Sequence, residues 1–154
     1  MPQNIIYPDP DSLLRLTLMG RQARAFMIRS TRMAQEASDI HQASDVAASA
    51  MGRLLPACAM LGGLMKEGEG RLSVTVDGDG AGGRMHCGVS GRTFKITAQH
   101  PRAELPLRAD GRQDVAGFVG KNGSIIVVRD ENGKEPYTSV SSLVSGELGE
   151  DFAS

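Results

Sequence analysis

Leu14, Leu16 and Leu18 alternate with Arg15 and Thr17, the two-residue period of a strand with one covered face. After Gly20 a second run sets Phe26 and Ile28 against Ala25, Met27 and Arg29, and the two runs together predict a long hairpin. The period then lengthens. Residues 31–42 hold good helix formers, with Ser30 or Thr31 placed to cap the N-terminus. From Asp45, read as the cap of a second helix, Ala47, Met51, Leu54, Cys58, Leu61 and Met65 recur at spacings of four and three. Such spacing puts them on one face. Pro56 has no N–H and its ring meets the carbonyl of Gly52, so this helix is expected to bend there. Gly62 and Gly63 are expected to weaken its last turns.

Beyond Gly68 short strands return. Leu72, Val74 and Val76 alternate with Ser73 and Thr75, and Phe94 and Ile96 with Thr93, Lys95 and Thr97. Residues 124–128 are a nearly continuous apolar run, the pattern of a strand covered on both faces. Turn signals at residues 77–80, 90–91, 110–111, 122–123 and 132–133 separate these elements. Pro8 and Pro10 restrict the residues before them, so residues 1–12 read as an extended leader. Strands, two helices, then strands predict an α+β fold: an antiparallel sheet packed against a few helices, in a single domain over residues 13–154.

Composition narrows the function classes. The 154 residues are 40% hydrophobic and 23% charged, which is globular, and long enough to bury a core without disulfide or metal support. A formal net charge of −1 gives no general pull toward nucleic acid or anionic lipid. Four Phe, two Tyr and no Trp are too few for a base-stacking platform. The N-terminus has no signal-peptide pattern, and the longest apolar run, residues 54–65, is too short to span a bilayer. Cys58 and Cys87 form no C-x-x-C pair and fit a reducing, cytoplasmic setting.

Motifs that would carry chemistry fail one by one. Residues 78–83 match G-x-G-x-x-G after a strand, yet the sequel 84–91 has no helical period to aim amide donors at a pyrophosphate. Gly120-Lys121 lacks the glycine a P-loop needs at position 115 and the Ser or Thr it needs at 122. His41, His86 and His100 have no metal-site spacing with each other or with the cysteines. His86 and Cys87, adjacent on a strand, point to opposite faces. No zinc site and no disulfide between Cys58 and Cys87 is expected, since no sequence feature brings the two together. Arg21, Arg24, Arg29 and Arg32 form a basic cluster, and Glu147, Glu150 and Asp151 an acidic end. A patterned fold without a catalytic constellation favours a binding module over an enzyme. The competing reading is a small enzyme with a polar cleft between the bent helix and the sheet, lined by Arg84, His86, Asp114 and Lys121.

An ordered series of short segments carries a family resemblance: residues 24–26 (RAF), 52–55 (GRLL), 61–62 (LG), 78–80 (GDG), 83–84 (GR), 104–107 (ELPL), 119–121 (VGK), 135–137 (EPY), 143–147 (LVSGE) and 150–153 (EDFA). Together they resemble the 33 kDa chaperonin family of redox-regulated bacterial heat-shock holdases, over residues 13–153. The resemblance implies an N-terminal α+β domain on a large antiparallel sheet, followed in full-length members by a helical linker and a zinc module with a Cys-x-Cys and a Cys-x-x-Cys pair. This chain holds none of those four cysteines. It is therefore expected to be an excised N-terminal domain or a naturally short relative, with the stop after residues 150–153 favouring excision, and to be without cofactor, with zinc confined to the C-terminal module of full-length members.

The resemblance also implies the activity: ATP-independent binding of unfolding proteins under oxidative and heat stress. A holdase needs accessible apolar surface with charge beside it. The candidate client-binding residues are Leu16, Leu18, Phe26 and Ile28 of the first hairpin, or their opposite-face neighbours, with Phe26 and Ile28 fitting a core role better. The expected partners are unfolded or partly unfolded proteins, with no nucleic acid and no membrane. Full-length relatives are expected to form homodimers, and this chain to be mainly a monomer whose client binding does not respond to redox state.

Overall fold

The computed structural model describes residues 10–65, 70–132 and 134–154. Most of the leader, the break at Gly68 and the turn glycine Gly133 lie outside the described residues. In chain order the elements are β1 (Ser12–Leu18), β2 (Ala23–Arg29), α1 (Thr31–His41), α2 (Asp45–Gly63), β3 (Arg71–Gly78), β4 (Met85–Ser90), β5 (Thr93–Ala98), α3 (Val115–Val119), β6 (Gly123–Asp130), β7 (Tyr137–Ser142) and α4 (Gly149–Ala153). Strands β3 to β7 form one antiparallel sheet in the order β5-β4-β3-β6-β7, and β1 and β2 form a separate antiparallel pair. The α+β expectation holds.

The core lies between α2 and one face of the large sheet. Leu54, Cys58, Val74, Met85 and Cys87 are completely or almost completely enclosed there, as are Phe118 and Leu148. The apolar face of α2 is wider than the periodic set, because Val46, Ala50, Leu55 and Ala59 are buried too. This helix reaches the length and mean hydropathy, 1.3, of a membrane-crossing segment, but its apolar side is the core of the fold. It runs unbroken through Pro56. Gly52 and Pro56 both line an open groove beside loop 108–113, where water can serve the carbonyl that Pro56 leaves unpaired.

Several local expectations change on the longer-range structure. Ser30 occupies the N-cap position of α1 without a side-chain bond; the cap comes from Asp11, whose carboxylate accepts from the N–H groups of Arg32 and Met33 at 3.0 and 2.6 Å. The second helix is capped by Ser44, which accepts from Ala47 N–H at 3.3 Å, and Asp45 sits inside the first turn. Strand β6 is not covered on both faces. Ile125 and Val127 face the core with Val76 and Val74, whereas Ile126 and Val128 stay half-buried beside Thr75 and Ser73 on the outer face.

The glycine-rich segment is a β3–β4 connection, as its lack of helical sequel requires. It wraps the end of α3, with Gly80, Ala81 and Gly82 N–H groups donating to the carbonyls of Val119, Gly117 and Phe118 at 2.8 to 3.1 Å. A Cβ on Gly82 would lie 2.2 Å from the Phe118 ring, so the glycine serves packing. Replacing Leu54, wholly enclosed on α2, with Ala is expected to cost about 2–5 kcal/mol by chemical denaturation. A loss below about 0.5 kcal/mol would remove Leu54 from the core.

Candidate functional site

The β1–β2 hairpin has two unlike faces. Cross-strand partners share a face, and the register pairs Leu13 with Ile28, Leu14 with Met27, Arg15 with Phe26, Leu16 with Ala25 and Leu18 with Ala23. One face therefore carries Leu13, Arg15, Thr17, Arg24, Phe26 and Ile28. This face docks on the end of α2: a Cβ on Gly63 would sit 3.0 Å from Leu13 and 3.2 Å from the Phe26 ring. Arg15 stacks over Phe26 at 5.8 Å and donates to the Gly63 carbonyl at the negative end of the helix.

The other face carries Leu14, Leu16, Leu18, Ala23, Ala25 and Met27, six apolar side chains in a row. Leu14 is 52%, Leu18 47% and Met27 62% exposed, and Met19 at the tip 75%. The four sequence candidates thus do not make one surface. Leu16 and Leu18 lie on the outward face; Phe26 and Ile28 lie half-buried on the docked one. Sequence reasoning left Leu14 out of the candidates, although the alternation of β1 contained the signal, and Ala25 and Met27 entered only as opposite-face neighbours of Phe26 and Ile28. Residues 12–35 include no acidic side chain, and Arg15, Arg21, Arg24 and Arg29 are exposed along the hairpin. Arg21 at the tip and Arg29 at the far end lie beside the apolar face, whereas Arg15 and Arg24 belong to the docked one.

The polar cleft does not assemble. Arg84 pairs with Asp77 at 2.7 Å. His86 meets Thr75 Oγ1 at 3.0 Å on the outer sheet face, opposite in direction to Cys87. Asp114 caps α3 by accepting from Gly117 N–H at 2.9 Å. The backbone N–H of Lys121 donates to Asp79, whose carboxyl is held below its ordinary range chiefly by the Asn122 side-chain amide. None of the four lines either of two open grooves, of about 620 and 770 Å³. In the larger, Glu147 is already bound by Arg53 and Arg108. In the smaller, His41 Nε2 is committed to the Ile96 carbonyl at 2.7 Å.

A zinc ion does not fit the described residues. Among the described residues no three His, Cys, Asp or Glu side chains converge. Cys58 and Cys87 do meet, against expectation, thiol to thiol across the interface of α2 and β4, but in a dry apolar setting. Their contact pushes the Cys58 thiol up and Cys87 down, and burial pushes both up.

Residues 11–154 match the family model described as Hsp33 protein. The 33 kDa chaperonins of Staphylococcus aureus strains JH9 and Newman are 39% and 38% identical over 143 residues, covering 92% of this chain and 48% of those proteins. The crystal structure of the Thermotoga maritima 33 kDa chaperonin superposes with a TM-score of 0.83 at 32% identity, over 90% of this chain and 48% of that one. The chain spans about half the length of the relatives it matches.

The two faces of the hairpin should separate in stability measurements. Phe26→Ala is expected to cost about 1–3 kcal/mol in urea denaturation, because it strips the docked face. Met27→Ala is expected to change stability by less than about 0.5 kcal/mol. The reverse order would mean that the faces are assigned the wrong way round.

Proposed function

The chain belongs to the Hsp33 family, and from that premise we propose that it is an ATP-independent holdase domain that captures unfolding proteins on the outward face of the β1–β2 hairpin. The observation that carries this reading is the row Leu14, Leu16, Leu18, Ala23, Ala25 and Met27, apolar along one sheet face and substantially exposed. Exposed apolar side chains of a client lose contact with water there, a non-directional attraction that asks for no particular client sequence. Among the described residues the strand pair also has two free edges, whose backbone groups an extended client segment can meet. Arg21 and Arg29 beside the face keep a loaded complex in solution and favour clients whose apolar runs are flanked by acidic residues.

No step in this activity needs a catalytic group or a cofactor, and the domain is proposed to act without either, in the cytoplasm, under heat and oxidative stress. Its partners are unfolded or partly unfolded proteins, with neither nucleic acid nor membrane. Homodimerisation is assigned to the full-length form, and this chain to a mainly monomeric state. The enzyme reading has no observation in its favour, because Arg84, His86, Asp114 and Lys121 serve separate structural contacts.

Light scattering of a heat-aggregating client, with and without the chain, tests the proposal. Suppression is expected at about stoichiometric ratios, weakened severalfold by the double variant Leu14→Ser with Met27→Ser while its melting temperature holds. Undiminished suppression by that variant would move the client site elsewhere. Failure of the unaltered chain to suppress aggregation would overturn the holdase reading itself.

A further inference from the structure

Two cysteines far apart in sequence are brought together at the centre of the fold, and independent features place them there. On α2, residues 54, 58 and 62 lie along one stripe; Leu54 and Cys58 are wholly enclosed and Gly62 faces the sheet. A Cβ on Gly62 would lie 3.2 Å from Val89 Cγ1, so helix and β4 approach unusually closely here. Four residues back along a helix and two back along a strand are nearly equal steps, about 6 and 6.6 Å. They lead from Gly62 and Val89 to Cys58 and Cys87, both wholly enclosed and both free thiols. The small residues Ala59, Gly62 and Gly63 along this stretch of α2 allow the approach.

We propose that Cys58 and Cys87 are an oxidant-sensitive modification site that closes into an intrachain disulfide with hydrogen peroxide, covalently fastening α2 to the large sheet. The Cys87 sulfur attacks a peroxide oxygen, the O–O bond breaks, and the departing oxygen leaves as water with the thiol proton, giving a sulfenic acid. The Cys58 sulfur then attacks the Cys87 sulfur, the S–O bond breaks, and that oxygen leaves as a second water with the Cys58 proton. Each thiol sulfur gives up one electron and the peroxide takes two. The roles of the two sulfurs can be exchanged without changing the product. Entry of peroxide is set by local opening at the end of α2, where Pro56 removes one helical hydrogen bond and two glycines follow. The site rests on the core packing alone and is independent of the holdase reading.

These are the only cysteines among the 154 residues, which makes the test clean. The unaltered chain is exposed to hydrogen peroxide, unfolded, and titrated for free thiols. The expected result is loss of both thiols and a peptide map joining Cys58 to Cys87 in monomeric protein, the linked peptide being about 2 Da lighter than the sum of its two reduced halves. The oxidised chain should melt about 5 °C or more above the reduced one, with the gain reversed by reductant and absent in Cys87→Ala or Cys58→Ser. Exposed Met19 and Met27 report that oxidant acted, through their sulfoxides. Two intact thiols beside oxidised methionines would overturn the proposal, as would sulfinic acid or an intermolecular dimer in place of the link.

Discussion

One helix has to satisfy two sheets at once. The buried face of α2 closes the core over β3, β4 and β5, while its last turn carries the docked face of the hairpin. That double contact is possible only where the helix is thin. Gly62 meets Val89 of the large sheet and Gly63 meets Leu13 and Phe26 of the hairpin, each at distances where a larger side chain would force something to move. The glycines expected to weaken the helix are the positions at which the two sheets grip it.

The hairpin depends on this grip, because a two-stranded ribbon is marginal by itself in water. Leu13, Phe26 and Arg15 tie it to the end of α2, and Asp11 ties its first strand to the start of α1. Docking half-buries Phe26 and Ile28 on one face and leaves the other without a partner among the described residues. An apolar face held firmly in the open differs from a core strand that flips out on demand. It costs no rearrangement to use, and it must be kept soluble by its surroundings, which the exposed arginines do.

The sequence was most legible where contacts are local. Alternation located β1, β2, β3 and β5, and the three-four spacing located α2 and its buried stripe nearly residue by residue. Strand β7, rich in Ser and Thr, and the five-residue helices α3 and α4 carried no period strong enough to read. Long-range partners were invisible for a different reason. Asp11 caps a helix that starts twenty residues later, and Cys58 reaches Cys87 through tertiary packing alone. The hairpin shows the boundary well: both of its faces contain apolar residues, so alternation defined the faces while the register and Gly63 decided which one docks.

The central claim is that the two faces of one hairpin divide structure from function, and site-specific photo-crosslinking tests it most directly. A photoreactive phenylalanine analogue is placed singly at Leu16, Met27 or Phe26, and the chain is irradiated with a thermally unfolding client. Adducts to the client are predicted from positions 16 and 27, and adducts within the chain, to α2, from position 26. Client adducts that form as well from position 26 as from positions 16 and 27, or only from position 26, would contradict the account.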